Sequence, residues 1–411
     1  MPDTPHRRPV QDWRVLVAIF WLTSMVESLG ISQMYALLPT ALREMGVPEA
    51  DRLAFIGLFS SLIFVVGLPL VPLWGVWADK YSRKAVIVRS ALVEAVVFAG
   101  VALSREPWQL GLSMILIGFQ LGNTGVMLGG IRDVAPRRRL GAILGVFGAS
   151  SAIGMALGPT LAAGLIDGLH WELSWVFWLS SALSIGTALL VTFGSREVRP
   201  EVVPEGPILG LAYGAVRNVL GDPVVRRIFL IFGVSFLANQ MARPYLPVVV
   251  EGLVGTGPGL ASAIGLVMGT AALIGGLVGP FTGAAGDRIG FRTVLAAALA
   301  GGSIVLIAMP WAPAVGVLAL LAAGLSAATA TVSAMVFGLL ATEVAPERRS
   351  QTLNLVYLPL YAAGIVGPAL AAIVVATFGL DGPFLLGAIV FALGAIAVAR
   401  RRAPASRVAT A

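Results

Sequence analysis

The feature that most limits the fold is a series of apolar runs near or above the ~20 residues a helix needs to cross a hydrocarbon core. Val15–Leu38, Leu53–Ala78 and Ala85–Leu103 are three of them, and Ile373–Val398 is a fourth with short interruptions. Only 12% of the 411 residues are charged, against about 25% in a soluble domain. The alternating pattern of a membrane β-barrel is missing. The pattern predicts an all-α membrane protein with twelve spans, at 13–38, 52–78, 84–104, 107–131, 139–167, 172–194, 226–251, 259–285, 292–311, 313–341, 350–377 and 381–400.

An even number of spans puts both termini on one side. The positive-inside rule chooses that side. One set of loops and ends collects Arg14, Lys80, Arg83, Lys84, Arg89, the Arg137–Arg139 run, Arg217, Arg288 and the basic C-terminal tail among the chain's 28 Lys and Arg residues. The opposite set holds only Arg43, Arg52 and Arg105, with Arg243 inside a span. Both termini are therefore expected in the cytoplasm of a cell whose inner membrane holds the chain. The N-terminal apolar run is too long for a signal peptide and reads as a retained first helix.

The net charge of +7 follows helix ends rather than one soluble face, which argues against nucleic acid as a partner. Cysteine is absent, and the only histidines, His6 and His170, fall in predicted loops. No cofactor and no resident metal are expected. The longest polar stretch, 195–225, carries Pro200, Pro204, Pro207 and Pro223 and reads as a linker between a half at 1–194 and a half at 226–411. Within it Ile208, Leu209, Leu211, Ala212, Val216, Val219 and Leu220 recur at helical spacing, which predicts a short helix on the cytoplasmic membrane surface. No GxxxxGK[ST] loop is present, so ATP-driven transport by this chain alone is not expected.

The two halves repeat. Val134-Ala-Pro-Arg-Arg-Arg139 returns as Val344-Ala-Pro-Glu-Arg-Arg349, and Gly158-Pro159 returns as Gly367-Pro368. Leu38-Pro39 returns as Leu246-Pro247, and Asp79 as Asp287. A nearly constant offset in the same order maps helices one to six onto seven to twelve in parallel. Transporters built this way hold substrate near the midplane between the halves.

The loop after helix two reads Gly75-Val-Trp-Ala-Asp79-Lys-Tyr-Ser-Arg83-Lys84, and its repeat reads Gly283-Ala-Ala-Gly-Asp287-Arg288. Together they resemble the signature of the major facilitator superfamily, over essentially the whole chain. Helix five carries Gly154-Met-Ala-Leu-Gly158-Pro159, which looks like the antiporter motif of the twelve-helix drug:proton antiporters in that superfamily. The stretch Arg89-Ser-Ala-Leu, followed by Trp108-Gln109, is similar to bacterial multidrug efflux members. The resemblance implies a functional monomer. Two positions depart from it. Gly118 stands where an arginine implicated in proton coupling is usual, and Ser82 replaces a glycine.

Ionisable side chains at membrane depth are expensive and mark functional sites. Glu27, Glu94 and Arg243 are the ones the sequence places there. A carboxyl group withdrawn from water favours its neutral form. Glu27 and Glu94 are therefore proton-coupling candidates, with Glu27 also in the substrate cavity. A structural ion pair of Glu27 or Glu94 with Arg243 is the competing reading. Gln33, Gln120, Asn123, Asn239, Gln240, Asn354, Tyr357 and Tyr361 complete the cavity candidates, with interhelical hydrogen bonding as the alternative for each. Gly75, Asp79, Arg83, Lys84, Arg132, Asp287 and Arg288 read as a gating motif. In it Gly75 permits close helix approach, and Asp79 pairs with Arg83 or Arg132. Gly154, Gly158 and Pro159 predict tight packing followed by a kink. Trp171, Trp175 and Trp178 read as interfacial anchors.

These features point to proton-coupled efflux of small hydrophobic or amphiphilic compounds by alternating access. A sugar or organic-anion transporter, a lipid translocator and a non-transporting receptor are the rivals. No nucleophile with a nearby histidine supports an enzyme.

Overall fold

The computed structural model describes residues 12–200, 203–344, 352 and 355–400. Among them, twelve helices are long and apolar enough to cross a membrane, and no strand occurs. They are α1 Trp13–Glu44, α2 Glu49–Lys80, α3 Arg83–Leu103, α4 Pro107–Val134, α5 Arg137–Gly168, α6 Leu173–Gly194, α7 Pro223–Val254, α8 Leu260–Ile289, α9 Phe291–Trp311, α10 Val315–Glu343, α11 Leu358–Phe378 and α12 Gly382–Ala399. The predicted spans match these closely. The largest differences are at α1, which runs on through Pro39 to Glu44, and at α11, whose described helix starts at Leu358.

The chain forms two compact units. Unit 1 holds Met1–Val47 and Leu62–Asn218, and unit 2 holds Pro48–Ser61 and Val219–Ala411. The start of α2 thus belongs to unit 2 and its remainder to unit 1, a division that the sequence repeat did not anticipate.

In unit 1, α1 packs against α5 and α6, and α3 packs against α6. In unit 2, α7 packs against α11 and α12, and α9 against α12. The helices that pair in one unit are the repeat counterparts of those that pair in the other. Glycine makes the closest of these approaches possible. A Cβ on Gly154 would overlap the Met25 carbonyl oxygen, and one on Gly158 would overlap Ser32 Oγ and the Leu29 carbonyl oxygen. On α11, a Cβ on Gly367 would lie 3.0 Å from Gln240 Cβ on α7. The repeated Gly-Pro pair therefore marks the same helix contact in each unit. Pro159 does not break α5. The helix runs uninterrupted through it, and the irregular turn comes later, as a π turn over Gly164–Gly168.

Three spans are interrupted where their repeat counterparts are not. The first is α2, which breaks at Val66 between Glu49–Val65 and Gly67–Lys80, while α8 is continuous. In α4, a helix at Pro107–Leu116 gives way to a 3-10 turn at Ile117–Phe119, and a new helix begins at Asn123. Its counterpart α10 is continuous. In α7, a 3-10 turn at Arg243–Tyr245 separates Pro223–Ala242 from Leu246–Val254, whereas α1 is continuous. Pro244 and Pro247 both lack the backbone N–H that an uninterrupted ladder needs.

The expected linker helix forms at Ile208–Gly221. It docks on unit 1 through Tyr213, whose hydroxyl donates to the Pro69 carbonyl at 3.0 Å. Just ahead of it, Lys80 Nζ donates to the Gly206 carbonyl at 2.6 Å. Ala212 and Val219 are buried while Leu209 is exposed, so one face packs on protein and another is free.

Candidate functional site

The site in unit 1 starts from the interruption of α4. A Cβ on Gly118 would sit 2.8 Å from Gly67 N and 2.9 Å from Val66 Cβ, so α2 leaves no room for a side chain there. Four residues on, Gly122 has φ of 101°, a left-handed conformation that glycine adopts without steric cost. The break has two chemical results. The Gln120 carbonyl accepts from Ser90 Oγ at 2.9 Å and from Arg89 Nη2 at 3.4 Å. The following helix opens at Asn123, which brings a helix start, with its partial positive charge, into the bundle. Interrupted membrane helices that expose a helix start and free carbonyls are a recurrent way to build transport sites.

Glu27 meets that helix start. It lies about 21 Å along α1 from Trp13, at 1.5 Å per residue, and is 4% exposed. The Asn123 side-chain amide donates to its carboxyl group. Arg89 on α3 is close enough to interact electrostatically with Glu27. Its guanidinium lies 3.7 Å from the centroid of the Trp74 ring and donates to Ser90 Oγ at 2.8 Å. Arg89 Nε and Nη1 are buried with no hydrogen-bond partner among the described residues. Glu94, further along α3, is fully buried, interacts electrostatically with Glu27 and stands beside Ser184 of α6. Neither of its carboxyl oxygens has a hydrogen-bond partner within 3.5 Å among the described residues.

Glu27, Asn123, Gln120 and Glu94 thus come together as candidates. Arg89 is the residue sequence reasoning missed. By sequence it reads as a cytoplasmic topology charge, yet it sits six residues into α3, about 9 Å past the helix start, and its guanidinium joins the site. Its depth in the helix was the available signal. Gln33 faces elsewhere, because its Oε1 accepts from Ser180 Oγ on α6. Within unit 1, Arg89 is the cation that acts on Glu27.

The remaining candidates belong to unit 2. Gln240 is buried against Gly367, and Asn239 is partly buried. Arg243 opens the 3-10 turn of α7. Tyr357 caps α11, its carbonyl accepting from the Tyr361 amide at 3.0 Å. Asn354 lies outside the described residues.

The gating motif forms a charge cluster at one end of unit 1, in which Asp79 pairs with Arg83, one of its two expected partners, and further carboxylates join. Arg83 is buried and bridges two carboxylates, Asp79 at 2.8 Å and Asp133 at 2.7 Å. Arg132 reaches Asp133 at 3.4 Å rather than Asp79. Glu197, beyond the end of α6, caps the start of α3 by accepting from Ser82 Oγ and from the Arg83 amide at 2.8 Å. Lys84 Nζ binds the terminal carbonyls of α6, Thr192 at 2.6 Å and Ser195 at 2.8 Å. Gly75 is not explained by close approach, since a Cβ there would meet nothing within 4 Å. In unit 2, Asp287 and Arg288 are exposed, and the counterpart of the Arg83–Asp133 bridge is Arg292 with Glu343 at 2.9 Å. One extra residue between Asp287 and Arg292, relative to Asp79 and Arg83, removes the one-turn spacing that lets the first pair meet.

A family model described as Major Facilitator Superfamily matches residues 16–262 and 228–411. Multidrug resistance protein MdtG of Klebsiella pneumoniae is 28% identical over 309 residues, covering 75% of this chain and 73% of that protein. MdtG of Citrobacter koseri is 29% identical over 318 residues, covering 75% and 76%. Among solved structures, a bacterial homologue of the human lysosomal transporter Spinster, inward-facing and occupied, superposes with a TM-score of 0.76 at 14% identity, covering 96% of this chain and 98% of that one. The human organic anion transporter MFSD10 (TETRAN) gives 0.68 at 18% identity, covering 95% and 100%. At these identities the structural likeness establishes the fold.

Proposed function

This chain belongs to the Major Facilitator Superfamily, as a multi-pass membrane transporter rather than an enzyme, and from that premise we propose that it exports small hydrophobic or amphiphilic compounds in exchange for protons. The observation that carries the proposal is Glu27. It is a carboxyl group buried midway along α1, bonded to the start of the second half of the interrupted α4 and facing the charge of Arg89. A carboxylate there attracts a proton or a cationic substrate but not both at once, and that exclusion is the least that antiport requires. The names of the MdtG relatives support a multidrug substrate class. The charge bias of the loops supports a cytoplasmic membrane location with both termini inside. One chain is the functional unit, and the two units alternate access to the substrate. The proton is the coupling ion.

Purified protein in proteoliposomes tests this with an imposed pH gradient and a cationic fluorescent dye. Wild type should move dye against its gradient when the pH gradient is present and stay idle with a sodium gradient alone. Glu27→Gln should bind dye and lose gradient-driven movement. Proton-driven dye transport by Glu27→Gln at the wild-type rate would sink the proposal.

A further inference from the structure

A seam of polar groups crosses the apolar interior of unit 1, on the three helices α1, α3 and α6. Glu94 and Ser184 are fully buried and stand side by side, and neither Glu94 Oε1, Glu94 Oε2 nor Ser184 Oγ has a hydrogen-bond partner within 3.5 Å among the described residues. One turn along α6, Ser180 is buried and donates to Gln33 Oε1 on α1. Gln33 is itself fully buried, and its Nε2 has no partner among the described residues. Leaving such groups unpaired in a low-dielectric interior costs about 1–3 kcal/mol each. Orphaned groups clustered this way are the usual hosts of buried water.

The seam points at a cavity. At the end of unit 1 away from the Arg83 cluster, the last turns of α1 and α3 and the first turn of α6 enclose a space of ≈ 360 Å³. Glu44, Arg105, Glu172 and Phe177 are among its walls. Phe177 is one turn from Ser180 on α6, about 4.5 Å along the axis. The charge bias of the loops assigns this end to the outside.

We propose that this cavity and the seam behind it form a proton path from the outer water to Glu27, separate from the route of the substrate. This rests on the reading of Glu27 as the proton site. Glu44 and Glu172 at the mouth concentrate protons. Water held by Gln33, Ser180 and Ser184 carries a proton inward, each hydroxyl accepting one hydrogen and releasing another. Glu94 holds the proton as a neutral carboxyl group. When Glu27 becomes a carboxylate, Glu94 passes its proton across and is reprotonated from the seam. The net change is one proton moved from the cavity to Glu27, with no group oxidised or reduced. Glu27 from α1 is the charged group that acts on Glu94, and Arg89 acts in turn on Glu27.

Infrared spectroscopy of the protein in lipid vesicles tests the path independently of transport. The protonated-carboxyl band should shift on transfer to heavy water, and Glu94→Gln should remove part of it. Ser184→Ala deletes a hydroxyl with no hydrogen-bond partner within 3.5 Å among the described residues, so the fold should tolerate it. This variant and Ser180→Ala should each slow the heavy-water exchange of that band by about tenfold or more, the scale of a positioned proton-transfer group. In the dye assay both should lose gradient-driven transport while keeping dye-for-dye exchange near wild type. An unchanged band in Glu94→Gln, or wild-type exchange rates in both serine variants, overturns the path. Normal infrared behaviour in a wild-type protein that shows no proton-driven flux would instead overturn the antiport reading and leave the path standing.

Discussion

The side-chain amide of Asn123 donates to the carboxyl group of Glu27 across 96 positions of sequence. The contact exists because the first helix of α4 ends at Leu116 and a second one restarts after Gly122 with Asn123 as its first residue. Asn123→Leu keeps a side chain of comparable size and removes the donor. Losing a hydrogen bond to a buried polar group costs about 1–3 kcal/mol. Gradient-driven dye flux should fall by about tenfold or more, the equivalent of 1.4 kcal/mol. Flux equal to wild type would mean that the contact has no part in coupling.

Arg83 is held by two carboxylates of unequal exposure, Asp79 at 42% and Asp133 at 21%. Removing the more buried partner should cost more, because the buried guanidinium keeps only a solvent-screened one. Asp133→Ala should lower stability by up to about 3–5 kcal/mol, the range for breaking a buried pair. Asp79→Ala should cost about 1 kcal/mol or less. Thermal unfolding in detergent ranks the two, and the reverse order would refute the assignment of Asp133 as the principal partner.

Gly158 and Gly148 lie on the same helix in opposite surroundings. Alanine at Gly158 would drive a methyl group into Ser32 and the Leu29 carbonyl, whereas at Gly148 it would meet nothing within 4 Å. Gly158→Ala should destabilise by about 1–3 kcal/mol through overpacking. Gly148→Ala should be neutral or stabilising by up to about 1 kcal/mol, from helix propensity. Melting temperatures in the same detergent compare them directly.

Within unit 2, Arg52 and Glu251 form an ion pair at 3.2 Å, with both side chains nearly buried. Nearby, the Tyr245 hydroxyl donates to the Leu53 carbonyl at 3.1 Å. A double-mutant cycle should give a favourable coupling. Glu251→Gln alone deprives the nearly buried Arg52 charge of this partner, at up to about 3–5 kcal/mol, and Arg52→Gln should cost less. The double replacement should recover a large part of that loss. Additive losses would show that the two charges act independently.

The sequence carried most of the architecture because membrane burial is a one-dimensional constraint. A helix in lipid needs about twenty apolar residues, so span count and approximate ends follow from composition along the chain. The close packing at Gly154 and Gly158 was legible for a related reason, since a missing side chain is visible in any sequence. Partner choice was less legible. Asp79 is legible in its motif, but Asp133 and Glu197 are not, because the ends of α4 and α6 reach Arg83 only after the helices pack.

What the sequence determined by itself is the membrane-spanning, repeated, all-helical frame, together with the rarity that marks Glu27 and Glu94. What only the tertiary structure decided is which groups those carboxyls meet. Arg89 reads as one more basic residue near a helix end until α2 supplies Trp74 and the broken α4 supplies Gln120. The reason is physical. Burial depth follows from local hydrophobicity, but a hydrogen bond or an ion pair depends on side-chain direction and on where a neighbouring helix stops. In α4 that stopping point is set by the absence of space at Gly118 and by the left-handed turn at Gly122.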